Sequence, residues 1–98
     1  MNSSGRVILL IEDTKDDELL TLRAFKKVGI LNEIVVARDG AEALDFLIGP
    51  NARKLPQVVL LDLNLPRVGG LEVLRRIRED PRTKFIPVIV LTSSKEEE

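Results

Sequence analysis

Ninety-eight residues suit a single domain, since typical domains run about 100–150 residues, and leave no room for two. A composition of 44% hydrophobic and 32% charged residues excludes a disordered tail, a collagen-like chain and a low-complexity linker. With 15 basic and 16 acidic residues, net charge −1, the chain lacks the basic surface that a general grip on nucleic acid needs, and no nucleic-acid partner is expected. The absence of Cys and His removes disulfides, thiolate metal sites, cysteine nucleophiles and every catalytic arrangement built on an imidazole. Any chemistry must come from carboxylates, hydroxyls, amides, lysines and arginines.

The N-terminal Met1-Asn2-Ser3-Ser4-Gly5 is polar and has no signal-peptide core. The apolar runs have about six residues, far short of the ~20 that cross a bilayer. A cytoplasmic protein without a membrane partner is expected. The first run, Val7 to Ile11 after Arg6, is continuous rather than alternating, which predicts a strand buried on both faces. Thr14-x-x-Asp17 then resembles a capping box, Leu19, Leu22 and Phe25 recur at helical spacing, and Gly29 can close that helix. Ile34–Ala37 reads as a second strand and Asp39-Gly40 as a turn. Ala41, Leu44 and Ile48 give a short helical face ended by Gly49-Pro50.

Val58–Leu61 predicts a third buried strand. Gly69-Gly70 precedes a helix with Leu71, Leu74 and Ile77 on one side, stopped at Asp80-Pro81. Ile86–Leu91 predicts a fourth strand, and Ser94-x-x-Glu97 the start of a fourth helix. Strands alternating with helices imply an α/β domain with a parallel sheet covered on both faces.

Glu12 and Asp13 follow the first strand directly, and Asp62 follows the third. In open α/β sheets ligands bind outside the carboxyl ends of the strands, where the strand order reverses. If strands one and three are neighbours, three carboxylates converge there and repel unless a cation lies between them. An all-oxygen ligand set favours Mg²⁺ over zinc or copper. Asn64 could add an amide or backbone carbonyl, and Thr92 places a hydroxyl on the same rim. Each has a plainer reading: Asp13 as a helix cap, Asp62 as a solvated strand end, Thr92 as an ordinary β-branched strand residue. The joint pattern is the more specific signal. Carboxylates with Mg²⁺ and no imidazole suit phosphoryl transfer to a carboxylate, with Asp62 the acceptor.

The stretches LLIEDTKDD (9–17), ARDGAEAL (37–44), VVLLDLNLP (58–66), GGLEVLRRI (69–77) and IPVIVLTSS (86–94) resemble the receiver domain of two-component response regulators. The chain looks most like the single-domain regulators that partner phytochrome-type histidine kinases. This resemblance implies a flavodoxin-like sheet, Asp62 as phosphoacceptor and Asp13 as direct Mg²⁺ ligand. It implies further that Glu12 binds Mg²⁺ directly or through water, that Asn64 offers its backbone carbonyl, and that Thr92 is the switch hydroxyl. A histidine kinase is the implied partner. Two departures stand out. Gly69-Gly70 replaces the Asp-Gly of many receivers. The sequence also ends just inside the fourth helix, before the fifth strand, its active-site lysine and the last helix.

The expectation is thus a receiver domain over residues 1–98, truncated, with four strands in the order 2-1-3-4. Its phosphorylation is expected to be impaired. Its fourth strand becomes a sheet edge and one face of the central strands is uncovered, so a homodimer through either is expected. Alternatives from other classes are a structural, associating α/β fragment without chemistry and a Toprim-like nucleotidyl-transfer domain. The second usually needs Asp-x-Asp where this chain has Asp62-x-Asn64. A nucleotide-binding domain has only the VVLLD strand in its favour, with no phosphate-binding glycine loop.

Overall fold

The computed structural model describes residues 7–50, 55–62 and 69–91. The elements run β1 (Val7–Ile11), α1 (Lys15–Val28), β2 (Glu33–Ala37), α2 (Gly40–Ile48), β3 (Val58–Asp62), α3 (Gly70–Glu79) and β4 (Val88–Leu91). The four strands form one parallel sheet in the order β2-β1-β3-β4. The expected strand order and the α/β alternation are both observed. The fourth strand is shorter than its apolar run: Ile86 is tied back to Thr83 by a 3.0 Å hydrogen bond, and pairing with β3 begins at Val88. The fourth-helix signal at Ser94 lies outside the described residues.

Side chains alternate across a strand, so each strand feeds two cores. Leu9, Ile11, Val59 and Leu61 face α2 and α3 and pack with Ala43, Leu44, Leu47, Val73, Ile77 and Ile86. Ile8, Leu10 and Leu60 face the other way, against Phe25 of α1 and Ile30 just after it. This is why β1 is buried along its whole length. The central strands are therefore covered on both faces among the described residues, which corrects the expectation of an uncovered central face. Exposure falls further out, on β4, where Ile89 is 52% and Val90 38% exposed, and on α1, which has no fully buried residue.

Two helical faces differ from the sequence reading. Leu19 is 46% exposed, so α1 meets the sheet chiefly through Phe25 and its neighbours. On α3 the inward positions are Val73, Ile77 and half-buried Leu74, while Leu71 points to solvent at 71% exposure. The α3–β4 connection is held by side chains. The buried Thr83 hydroxyl donates to Ile77 O at 2.7 Å, and Arg78 Nη1 donates to Lys84 O and Ile86 O at 2.8 and 2.9 Å.

Gly29 ends α1 at φ +85°, with its N–H on Lys26 O at 3.2 Å. Gly69, at the N-cap of α3, has an ordinary extended backbone and no side chain to cap the helix. Gly29→Ala should cost about 1 kcal/mol from its left-handed φ alone, since nothing lies within 4 Å of the added Cβ. Gly69→Asp should stabilise α3 by a few tenths of a kcal/mol, roughly the margin by which an Asp N-cap exceeds Gly. Urea unfolding of the two variants beside the parent checks both signs.

Candidate metal and phosphoacceptor site

β1 turns back toward β2 through α1, and β3 returns on the opposite side of β1, so the crevice opens between the C-terminal ends of β1 and β3. Ile11 pairs with Ala37 on one side and Leu61 on the other. The next residues, Glu12 and Asp62, therefore emerge level with each other on adjacent strands. Glu12 is fixed by its N–H on Ala37 O at 2.9 Å. Asp62 still belongs to β3 and pairs with Leu91 of β4.

Ligand oxygens of Glu12, Asp13 and Asp62 lie within 4.8 Å of one another. Glu12 and Asp62 are buried, at 4% and 8% exposure, and Asp13 is exposed. The sheet thus brings together three of the residues singled out in the sequence. Asn64 and Thr92 lie outside the described residues.

Burial raises the Glu12 carboxyl above its ordinary value, and the negative charges of Asp62 and Asp17 push the same way, against hydrogen bonds from Thr14. Buried carboxylates forced together in this way fit a small hard cation, and all-oxygen donors suit a hard divalent ion. The third, exposed carboxylate leaves one side open to solvent for a ligand.

Thr14 is a contributor that sequence reasoning misassigned. It occupies the N-cap of α1, but its side chain caps no backbone N–H. Its hydroxyl lies 2.9 Å from Glu12 Oε2 and 3.1 Å from Asp17 Oδ2, and its N–H reaches Glu12 Oε2 at 3.3 Å. The spacing that looked like a capping box instead orients a carboxylate of the site. The real side-chain cap is on α2, where Asp39 Oδ1 accepts from Glu42 N–H at 2.8 Å and Glu42 Oε1 accepts from Arg38 N–H. Asp39-x-x-Glu42 was the sequence signal for it.

The raised Glu12 carboxyl has a defined consequence for the metal-free protein. Between the ordinary carboxylate value of 4.5 and the raised folded value, the folded state keeps a proton that the unfolded chain has released. Stability therefore falls as pH rises through that window. Glu12→Gln should abolish this fall and raise the metal-free melting midpoint at neutral pH relative to the parent. The gain should vanish below pH 4.5, and thermal melts across pH in the presence of a chelator measure it.

Residues 8–98 match the family described as the response regulator receiver domain. Among curated relatives, a protein named "Probable methanogenesis regulatory protein FilR2" from Methanothrix harundinacea is 47% identical over 90 residues. That match covers 90% of this chain and 58% of the relative. Response regulator Rcp1 from Synechocystis sp. is 43% identical over 96 residues, covering 95% of this chain and 65% of Rcp1. The chain thus spans less than two thirds of either protein. Among solved structures, the bacteriophytochrome response regulator AtBRR superposes with a TM-score of 0.84 at 50% identity, over 93% of this chain and 69% of that one. The Mn²⁺-bound form of Rcp1 gives 0.83 at 43% identity, over 94% and 68%. Sheet order, acidic crevice and sequence agree: the chain belongs to the receiver-domain family of two-component response regulators.

Proposed function

We propose that this receiver domain accepts a phosphoryl group on Asp62 from a phosphohistidine of a sensor kinase, with Mg²⁺ held by Glu12, Asp13 and Asp62. The observation that carries it is the clustering of these three carboxylates at the mouth between β1 and β3. An Asp62 carboxylate oxygen would attack phosphorus, the P–N bond to the kinase imidazole would break, and the acyl phosphate would form. Mg²⁺ would offset the charge gathered on the phosphoryl oxygens and the three carboxylates. Glu12, buried and held by Thr14, is suited to orient the cation, while Asp13 is exposed to solvent. Asn64 would add its carbonyl, and Thr92 would move onto the phosphoryl group as the switch. The Mn²⁺-bound form of Rcp1 and the bacteriophytochrome regulator AtBRR support a divalent cation and a phytochrome-type kinase as partner. A nucleotidyl-transfer role finds no comparable support.

Intact mass after incubation with Mg²⁺ and acetyl phosphate tests the reading. One added phosphoryl group is expected, absent in Asp62→Asn and after metal chelation. No addition to a folded, Mg²⁺-containing sample overturns it.

A second proposal concerns association. β4 is the outer strand of the described sheet, and Ile89 and Val90 project from it to opposite sides, both exposed. Val88–Leu91 carries no charge to discourage pairing. Two copies can join β4 to β4 about a two-fold axis, each supplying the same residues. Light scattering at micromolar concentration should give twice the chain mass, and Val90→Lys should return it to a monomer. A monomeric parent would refute this contact.

A further inference from the structure

One interaction between distant segments has no role in the phosphoacceptor reading. Glu18, in the first turns of α1, pairs with Arg38, the residue after β2, at 2.5 Å. The Glu18 side chain is only 12% exposed and that of Arg38 43%. Neither Glu18 Oε1 nor Arg38 Nη1 makes a hydrogen bond, so the contact is ionic rather than a well-aligned fork. A pair this sheltered is screened less than an ordinary surface salt bridge.

Its position gives it a task. Ala37 packs into the core beneath α2 and α3, so Arg38, one residue on, points to the α1 side. Glu12 follows Ile11 of that same core and also points to the α1 side. The start of α1 has few other anchors, since no residue of the helix is fully buried. The Glu18 N–H donates to Thr14 O at 3.0 Å, and the Thr14 hydroxyl reaches Glu12. A continuous chain of contacts thus runs from Arg38 through Glu18 and Thr14 to a carboxylate of the site.

We propose that the Glu18–Arg38 ion pair is a positioning clamp that seats the first turn of α1 on the end of β2 and thereby fixes Thr14 and Glu12 for cation binding. Its metal-affinity part rests on the reading of Glu12, Asp13 and Asp62 as the cation site. Outer-shell groups that orient a metal ligand commonly matter about tenfold or more in affinity.

A position effect and a charge effect have opposite signs here. If Arg38 acted only through its field, Arg38→Ala would remove a positive charge and tighten cation binding. As a clamp, its loss weakens binding. The experiment is calorimetric titration with Mn²⁺ of the parent, Arg38→Ala, Glu18→Ala, the double variant and the charge-exchanged Glu18→Arg/Arg38→Glu protein. Metal-free melts and amide hydrogen exchange accompany each. Both single variants should bind Mn²⁺ about tenfold more weakly. The double variant should be no worse than either, and the exchanged pair should recover most of the loss. Amides of Glu12 to Thr14 should exchange faster in metal-free Arg38→Ala while those of β3 stay protected. Tighter or unchanged Mn²⁺ binding by folded Arg38→Ala overturns the clamp, as does strictly additive loss. If the parent itself binds no Mn²⁺, the cation reading fails instead. The clamp is then decided by exchange alone: faster exchange at Glu12 to Thr14 upholds it and unchanged exchange refutes it.

Discussion

Like charges held together against their repulsion organise this molecule. Parallel pairing of β1 with both β2 and β3 brings Glu12, Asp13 and Asp62 to one edge. Two of the three carboxylates are buried, and burial together with the charge of Asp62 raises the cost of ionising Glu12. The backbone cannot relax this, because Glu12 is tied to Ala37 and Asp62 is part of a ladder. The arrangement is disfavoured alone and relieved by positive charge. All-oxygen donors held in this way suit a hard divalent cation, which the proposed phosphoacceptor role requires.

The surroundings of the site are built from short polar contacts rather than deep packing. Thr14 gives Glu12 two hydrogen-bond donors, Glu18 reaches Arg38 across the end of β2, and Asp39 with Glu42 caps α2 beside them. Such contacts are specific in direction and modest in energy. They lie at the rim of the sheet, outside the two apolar clusters.

The apolar surface is distributed unevenly for a related reason. β1 and β3 are interior strands and bury nearly every side chain they carry, whereas among the described residues β4 has a strand on one side only. The residues Val88–Leu91 are as apolar as those of β1, yet Ile89 and Val90 remain in contact with solvent. Burial here is set by position in the sheet rather than by residue type.

Much of this was legible in the sequence. Continuous β-branched and leucine runs, helical spacings and turn residues specify the alternation of elements, because each is a local property of the backbone and its side chains. The carboxylates after the first and third strands were visible as candidates for the same reason. What the chain alone left open was contact between elements. Leu19 and Leu71 sit at helical spacing with half-buried or buried neighbours but lie outside the face that meets the sheet, since a helix's apolar stripe does not say how the helix is rotated. Thr14 had the spacing of a cap, and the nearby Glu12 carboxylate claimed its hydroxyl instead. By itself the sequence determined the order of strands and helices and which carboxylates end the strands. The strand order 2-1-3-4 followed from the family resemblance and is observed. Only the tertiary structure decided that Glu18 meets Arg38, that Thr14 serves Glu12 and how each helix is turned on the sheet, because those depend on side-chain contacts that no local pattern encodes.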